Sequence, residues 1–256
     1  MKVTTEDAGA VRVLRINRPE VHNCVDGETA TGLAEAITAF AADDAMRVLV
    51  VTGAGEKSFC SGADLKNADT LLRHAWLDRA GPMGFARLEA GKPTIAAVNG
   101  YCFAGGFELA AWCDFRIAGD NAEFGALSRR WGVPYTDGGT QRFARIMGLG
   151  NALYLLETGM RIDAAKAYEF GFVQEVVPAG TVLDRALELA QRIAEYPNQA
   201  GIRADRAGAL ATFGLSLRDG LRFEAEHSLA TVVDAEMAEG LRKYVAHERP
   251  EAPRPS

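Results

Sequence analysis

A single glutamate lies in the middle of an apolar segment that contains three glycines. The segment AVNGYCFAGGFELAAWCD spans residues 97–114 and holds Gly100, Gly105, Gly106 and Glu108. A helix that begins at Gly105 would present free backbone N–H groups and the positive end of its dipole, which stabilise an oxyanion. Apolar surroundings raise the pKa of a carboxyl group towards neutral pH, which suits Glu108 to acid–base chemistry. The alternative is a helix packed through small residues, in which Glu108 interacts only with the helix dipole.

A second segment, FCSGADLK at residues 59–66, follows a predicted buried strand. Its small residues Gly62 and Ala63 would let the backbone approach a ligand closely. The alternative is an ordinary loop that enters a helix, with Asp64 as the N-cap. From this segment alone, both interpretations remain open.

The loop TGAGEKS at residues 52–58 is only superficially similar to a phosphate-binding loop. A P-loop requires glycine directly before the Lys-Ser pair, and Glu56 stands there instead. A dinucleotide-binding fingerprint requires a last glycine where Ser58 stands. We therefore predict a simple turn.

The histidines and cysteines do not form a known metal-binding or nucleophile pattern. No HExxH, CxxC or GxSxG spacing occurs, so we predict neither a metal site nor a hydrolase-type serine. Ordinary surface or core positions are expected for His22, His74, His227 and His247, and buried, reduced positions for Cys24, Cys60, Cys102 and Cys113.

Charge and hydropathy exclude several classes of protein. The net charge is -6 over 256 residues and no basic block offsets it, so we predict no nucleic-acid partner. The first residues lack the apolar region of a signal peptide, and no apolar run approaches the roughly 20 residues that span a bilayer. We therefore predict no membrane partner and a cytoplasmic location.

Strand-like and helix-like segments alternate over the first two-thirds of the chain. This alternation predicts an α/β fold built from βαβ units with right-handed crossovers. The predicted strands are 10–17, 46–53, 94–98 and 115–118, and the predicted helices are 28–42, 70–90 and 105–112.

The character of the chain changes near residue 197. Helical patterns without strand signals then follow, and the last residues are rich in proline. The predicted helices are 198–212, 216–233 and 235–246, followed by a loose tail over 248–256. We predict a core over residues 1–195 and a helical C-terminal region over 196–256.

Five segments, in order along the chain, resemble the enoyl-CoA hydratase/isomerase (crotonase) superfamily. They are FCSGADLK at 59–66, KPTIAAVNGYCFAGGFELAAWCD at 92–114, FG at 124–125, GGTQRFARIMG at 138–148 and AYEFGFVQEVVP at 167–178. The resemblance implies a crotonase-like spiral of ββα units with C-terminal helices that mediate trimerisation, as homotrimers or as hexamers built from two trimers. It also implies an acyl-CoA substrate and no cofactor beyond the coenzyme A of that substrate.

The resemblance assigns roles to residues of both glycine-containing segments. A thioester carbonyl would lie between the backbone N–H groups of Ala63 and Gly105, which stabilise an enolate oxygen. Glu108 matches the first of two glutamates that flank the reacting water. The substrate-binding residues implied in addition are Asp64, Leu65, Lys66, Gly106 and Arg18. Arg18 and Lys66 would offer positive charge to the CoA phosphates, or would equally be ordinary solubilising charges.

The sequence departs from the family at the second glutamate. That position, 20 residues after Glu108, holds Ser128, which cannot act as a carboxylate base. The nearest replacement is Asp137, either as a cap of the following helix or as a catalytic or water-positioning group. Arg129 and Arg130, beside Ser128, fit an acidic acyl group, a salt bridge to a partner subunit or a solvated face.

The sequence therefore predicts an acyl-CoA enzyme, an enoyl-CoA hydratase with Glu108 as acid/base. An enoyl-CoA isomerase, or another enolate reaction of a CoA thioester such as hydrolysis or decarboxylation, remains an alternative because Ser128 replaces the second glutamate. A catalytically weak acyl-CoA-binding protein is the alternative of another class. The presence of Glu108 beside Gly105 favours the hydratase.

Overall fold

The computed structural model describes residues 1–72, 80–232, 235–246 and 248. The strands are β1 (Val3–Ala8), β2 (Val11–Ile16), β3 (Val48–Gly53), β4 (Ser58–Cys60), β5 (Thr94–Val98), β6 (Tyr101–Phe103), β7 (Phe115–Gly119), β8 (Glu123–Gly125), β9 (Arg161–Asp163) and β10 (Glu175–Val177). The helices are α1 (Gly27–Ala42), α2 (Ala68–Leu72), α3 (Gly105–Trp112), α4 (Gly139–Met147), α5 (Leu149–Thr158), α6 (Ala164–Glu169), α7 (Val182–Glu195), α8 (Gln199–Ala211), α9 (Leu217–Val232) and α10 (Ala235–Val245).

The strands form two sheets, and consecutive strands from β3 to β8 alternate between them. The larger sheet has the order β1-β2-β3-β5-β7-β10, with β1 antiparallel to β2 and the other neighbours parallel. The smaller sheet has the order β4-β6-β8-β9, with β9 antiparallel to β8. In each of the successive pairs β3–β4, β5–β6 and β7–β8, the first strand belongs to the larger sheet and the second to the smaller sheet, and helical structure follows. This arrangement confirms the predicted spiral of ββα units.

Strand β3 is buried along its whole length because both faces of the larger sheet are covered. Leu49 and Val51 belong to the apolar cluster that includes residues of α1 and α3. Val48 and Val50 belong to a second cluster, on the side of α7. Successive side chains of a strand point to opposite faces, so a strand covered on both faces is apolar at every position.

Most of the predicted elements are confirmed. The strands predicted over 10–17, 46–53, 94–98 and 115–118 correspond to β2, β3, β5 and β7, and the helices over 28–42 and 105–112 to α1 and α3. The segment TGAGEKS forms the end of β3 and a bend before β4, so the prediction of a simple turn is also confirmed.

The helix predicted over residues 70–90 is wrong for most of its described length. The described part of helix α2 reaches Leu72, residues 73–79 lie outside the described residues, and residues 80–90 form turns and loop. Gly81 and Gly84 have φ angles of 73° and 84°. With Pro82 between them, this backbone cannot continue a helix.

The C-terminal helical patterns correspond to α8, α9 and α10. Residues 233–234, His247 and all of the tail predicted over 248–256 except Glu248 lie outside the described residues. In the described ranges, no helix has both the length and the apolar character needed to cross a bilayer. The proposed boundary between residues 195 and 196 stays a prediction.

Candidate active site

One cavity of about 350 Å³ brings together the residues at which chemistry was predicted. Its walls come from the loop after β4, the turn after residue 80, the start of α3 and the segment between β8 and α4. The residues with predicted chemical roles that line it are Ala63, Gly105, Glu108, Ser128 and Asp137. The other walls are mainly apolar and include Leu65, Leu71, Met83, Phe103, Trp131 and Val133.

The backbone around Ala63 leaves its N–H group unused. The N–H of Val25 donates to the carbonyl of Gly62 at 2.9 Å, and the N–H of Asp64 donates to the carbonyl of Val25 at 2.8 Å. These two bonds form an isolated parallel bridge between Val25 and Ala63. Backbone groups of an extended chain alternate in direction, so the N–H of Ala63 points away from Val25. It donates to none of the described residues.

The second free N–H group, that of Gly105, follows a strained turn at Ala104. Ala104, with φ 51° and ψ -123°, immediately precedes α3 and donates its own N–H to the carbonyl of Gly125 at 3.0 Å. An alanine in this region of the Ramachandran plot costs of order 1–3 kcal/mol. Helix α3 begins at Gly105, whose N–H has no intrahelical acceptor and no other partner among the described residues.

Close backbone packing holds the two loops side by side. A Cβ atom on Gly62, which has a φ of +92°, would lie 2.8 Å from the backbone nitrogen of Gly105 and 2.9 Å from the Cβ of Ala104. A Cβ atom on Gly106 would overlap the carbonyl oxygen of Cys60 at the end of β4. Only glycine permits these approaches, so Gly62 and Gly106 bring the free N–H groups of Ala63 and Gly105 to one cavity.

Glu108 is 3% exposed and lies in the first turn of α3. Its Oε1 accepts hydrogen bonds from the backbone N–H groups of Asp137 at 2.9 Å and Gly139 at 2.8 Å. No described residue donates a hydrogen bond to its Oε2. Burial and the nearby charge of Asp137 raise the pKa of Glu108 to about 8, against the opposing effect of the two N–H donors. A carboxyl group in this state exchanges protons readily near neutral pH.

Asp137 does not cap the helix that follows it. Helix α4 has Gly138 as its N-cap and no side-chain hydrogen bond there. The Oδ1 of Asp137 instead accepts from the N–H of Met83 at 3.0 Å, and its Oδ2 accepts from the Thr136 hydroxyl at 3.2 Å. Burial raises the pKa of Asp137, partly offset by the Met83 N–H. The cap interpretation is therefore wrong. The Asp137 carboxyl group instead connects the turn that contains Met83 to the loop whose N–H groups donate to Glu108.

Arg142 ties the same two loops from the outside. Its Nη1 donates to the carbonyl of Asp137 at 3.0 Å, and its Nη2 donates to the carbonyl of Ala86 at 2.6 Å. Burial lowers the pKa of Arg142, while Glu89 and Glu108 raise it. Arg142 could not be identified from the sequence, because a basic residue on a helix gives no signal of a buried contact.

Ser128 lines the cavity together with Tyr135. The Ser128 Oγ and the Tyr135 Oη are both buried, and neither has a hydrogen-bond partner of good geometry among the described residues. The pKa of Tyr135 lies well above its ordinary value because of burial and the charge of Glu108, and the nearby Ser128 hydroxyl opposes this only weakly. Tyr135 was also missed by the sequence analysis, since it lies in a loop without periodicity.

The structure places Arg18 away from the cavity, in contact with internal partners. Arg18 is 8% exposed, and its guanidinium donates to Asp64 Oδ2 at 2.9 Å and to the carbonyl of Cys24 at 2.6 Å. Asp26 also lies within 3.3 Å. We therefore withdraw Arg18 as a phosphate-binding residue, because its charge is already neutralised inside the protein.

Asp64 is a helix cap, as the alternative interpretation of its segment predicted. Its side chain accepts from the backbone N–H of Lys66 at 3.2 Å and caps a short 3₁₀ helix over Leu65–Asn67. Burial works to raise the pKa of Asp64, but hydrogen bonds from Asn67 and Arg18 outweigh it and hold the pKa below its usual value. Leu65 is half exposed at the mouth of the cavity, and Lys66 is exposed beside it.

The remaining candidates lie outside the cavity. Arg129 and Arg130 are exposed. His22 lies near the ring of Tyr101, and His227 stacks on Phe223 of α9, so neither lines the site. His74 and His247 are outside the described residues.

Comparison with known proteins agrees with this geometry. The family described as Enoyl-CoA hydratase/isomerase matches residues 6–252. The chain is 35% identical over 236 residues to a crotonyl-CoA hydratase of Syntrophomonas wolfei, covering 91% of this chain and 87% of that protein. It is 35% identical over 225 residues to an (E)-benzylidenesuccinyl-CoA hydratase of Thauera aromatica, covering 87% and 88%.

The fold is also similar to that of a solved structure. The crystal structure of an enoyl-CoA hydratase from Bacillus anthracis superposes with a TM-score of 0.90 at 31% identity, covering 98% of both chains. Sequence and fold agree over nearly the whole length, and the predicted spiral is present. The chain belongs to the enoyl-CoA hydratase/isomerase family.

Proposed function

We propose that this protein is an enoyl-CoA hydratase, which adds water across the C2=C3 double bond of a 2-enoyl-CoA. One observation supports this most directly. The unpaired N–H groups of Ala63 and Gly105 line the same cavity as the carboxyl group of Glu108, whose Oε2 has no partner among the described residues. Two fixed dipoles and one proton-transferring group are what an enolate reaction of a thioester requires.

In the proposed reaction, the thioester oxygen accepts hydrogen bonds from Ala63 and Gly105. As water attacks C3, the π electrons move towards that oxygen, and negative charge develops where the two donors point. Each donor of this kind commonly contributes ~3 kcal/mol to the transition state. Glu108 takes a proton from the attacking water, and protonation of C2 then restores the thioester. The reaction needs no cofactor beyond the coenzyme A of its substrate.

The test is incubation with crotonyl-CoA while the absorbance of the conjugated thioester is followed. Hydration removes the conjugation, so the absorbance falls and mass spectrometry finds a product heavier by one water. The relatives act on different acyl groups, as their names state, so a panel of acyl-CoAs should follow. A folded protein that converts no member of the panel would contradict the proposal.

An enoyl-CoA isomerase is the second candidate, because Ser128 at the position of the second glutamate leaves only one of the two carboxylates of a hydratase. An isomerase moves one proton between two carbons and needs only one base. The same panel separates the two reactions, because isomerisation moves the double bond without changing the mass. Tight acyl-CoA binding without any conversion would support the binding-protein alternative.

Further proposals concern the CoA moiety, the assembly and the location. Lys66 is exposed beside the mouth of the cavity and remains our candidate for contact with the CoA phosphates.

We propose that the C-terminal helices assemble the chain as a homotrimer or homohexamer, supported by exposed leucines on α9 and α10. A cytoplasmic location is supported by four unpaired cysteines, three of them buried.

A further inference from the structure

Two hydroxyl groups in the cavity wall, those of Ser128 and Tyr135, lie among the residues that could bind a ligand. The Ser128 Oγ and the Tyr135 Oη are buried and make no hydrogen bond of good geometry to the described residues. Leaving a buried polar group unsatisfied is unfavourable, so such groups usually bind a ligand or an ordered water. Both residues line the cavity that Glu108 lines.

The tyrosine lies beside Glu108. A Cβ atom placed on Gly139 would lie 2.8 Å from the Cγ of Glu108 and 2.9 Å from the Cδ1 of Tyr135, so the two side chains flank the same glycine. The two N–H bonds to Glu108 end on Oε1, which leaves Oε2 for another partner. Together with the two hydroxyls, Oε2 makes three hydrogen-bonding groups on residues that line one cavity. A buried water typically makes about three hydrogen bonds.

We propose that Ser128 and Tyr135 bind the oxygen atom that the reaction adds at C3, in place of the second glutamate, and that Glu108 alone transfers the protons. The inference rests on the proposed hydratase function and deepens it. In the hydration direction, the bound oxygen is that of water; in the reverse direction, it is the 3-hydroxyl of the product. Burial keeps the Tyr135 phenol neutral, so it acts as a hydrogen-bond donor.

The step is balanced with one carboxylate. The oxygen of water forms a bond to C3 while one of its protons passes to Oε2 of Glu108. The electrons of the C2=C3 bond move to the thioester oxygen, which Ala63 and Gly105 stabilise as an enolate. The carboxylic acid of Glu108 then gives its proton to C2, the thioester re-forms and the carboxylate is restored.

Asp137 is a less suitable second base, although it lines the same cavity. Both of its carboxylate oxygens already accept hydrogen bonds, from the N–H of Met83 and from the hydroxyl of Thr136. Proton transfer through Asp137 would disturb the contact that holds the Met83 turn. We therefore assign Asp137 a positioning role.

The experiment measures two reactions on the same variants. The first is hydration of crotonyl-CoA, and the second is exchange of the C2 proton of butyryl-CoA with solvent deuterium. The exchange needs the enolate and Glu108 but adds no oxygen at C3. For both Ser128→Ala and Tyr135→Phe, we expect kcat of hydration to fall by roughly 10-fold, the effect of one lost hydrogen bond, with the exchange rate almost unchanged.

Two controls complete the set. Ser128→Thr keeps a hydroxyl and should retain most of the hydration rate. Tyr168→Phe removes a phenolic hydroxyl from an exposed tyrosine of α6 and should change neither reaction.

Parallel loss of hydration and exchange in Ser128→Ala and Tyr135→Phe would show a merely structural role and overturn the inference. Unchanged hydration in both variants would overturn it as well. Exchange that survives in Glu108→Gln would show that another group protonates C2. A wild-type enzyme that exchanges the proton but does not hydrate crotonyl-CoA would overturn the proposed function itself.

Discussion

At Glu108, burial and hydrogen bonding act on one carboxyl group in opposite directions. Burial favours the neutral acid, and the negative charge of Asp137 adds to this effect. The N–H groups of Asp137 and Gly139 favour the anion, yet they do not outweigh burial. The result is a pKa of about 8, which keeps both protonation states accessible near neutral pH.

This pKa predicts the pH profile of hydration. Glu108 must be deprotonated to accept a proton from water, so kcat/KM should rise with pH and level off above about 8. Glu108→Gln should lower the rate at least ~100-fold and remove the rise, because the amide cannot take the proton. The measurement is the initial rate of crotonyl-CoA hydration between about pH 6 and pH 9. A profile of the wild type that is flat over this range would contradict the role of Glu108.

A matched pair of variants tests the N–H group of Gly105. A Cβ atom at this position would overlap the sulfur of Met83, so both variants need Met83→Ala to make room. In that background, Gly105→Ala keeps the N–H group, whereas Gly105→Pro removes it. We expect the proline variant to turn over at least ~100-fold more slowly than the alanine variant. Equal turnover in two folded variants, checked by circular dichroism, would rule out the N–H group as an oxyanion donor.

At the scale of elements, the site depends on how β4 and the start of α3 pack together. The turn at Ala104 accepts an unfavourable backbone conformation, which directs the N–H of Gly105 to the cavity. Gly106 rests on the carbonyl of Cys60 and leaves no room for a side chain. These contacts explain why the segment has two successive glycines, a feature that helix formation alone would disfavour.

The packing predicts opposite effects of the same substitution at two helical glycines. Gly106→Ala should lower the melting temperature by at least ~5 °C, because the added methyl overlaps backbone atoms that cannot move easily. Gly208→Ala in α8 meets open space and should raise it by roughly 1–3 °C through helix propensity. Thermal unfolding followed by circular dichroism measures both. A Gly106→Ala protein as stable as the wild type would show that β4 and α3 are not in such close contact.

At the scale of the whole molecule, apolar side chains on the C-terminal helices remain exposed on the single chain. Leu217, Leu221 and Leu229 of α9 are 80%, 57% and 69% exposed, and Leu241 of α10 is 54% exposed. Leu221 lies four residues after Leu217 and Leu229 eight residues further on, spacings that place them near one side of the helix, and an extended exposed apolar stripe marks an interaction surface. They support the proposal that these helices contact other copies of the chain.

This proposal predicts the molar mass in solution. Light scattering coupled to size-exclusion chromatography should give three or six chain masses for the wild type. The double variant Leu221→Glu and Leu229→Glu should give a smaller species, because charges are expensive to bury at an interface. Exchange of Arg222 for Glu on the same helix, where the side chain is already polar and exposed, serves as the control. A monomeric wild-type protein would contradict the proposal.

Several of the longer elements were predicted from their periodicity, although the six-residue strand β1 and the 14-residue helix α7 were not. Strands β2, β3, β5 and β7 and helices α1 and α3 have five or more residues of clear periodicity. The three-residue strands β4, β6, β8, β9 and β10 contain too few residues to show alternation, so they were not predicted. The helix expected over residues 70–90 failed because Gly81, Pro82 and Gly84 override apolar spacing.

The sequence by itself determined the family, the strands β2, β3, β5 and β7, the start of α3 at Gly105 and the identity of Glu108 as a carboxyl group in apolar surroundings. These features depend on local periodicity and on short motifs, which can be recognised from neighbouring residues in the sequence. Only the tertiary structure decided that Arg18 pairs with Asp64, that Asp137 holds Met83, and that Tyr135 and Ser128 line the cavity of Glu108 without a well-formed hydrogen bond to the described residues. Each of these depends on residues distant in sequence or on a loop without periodicity, where the partner of a side chain is set by packing.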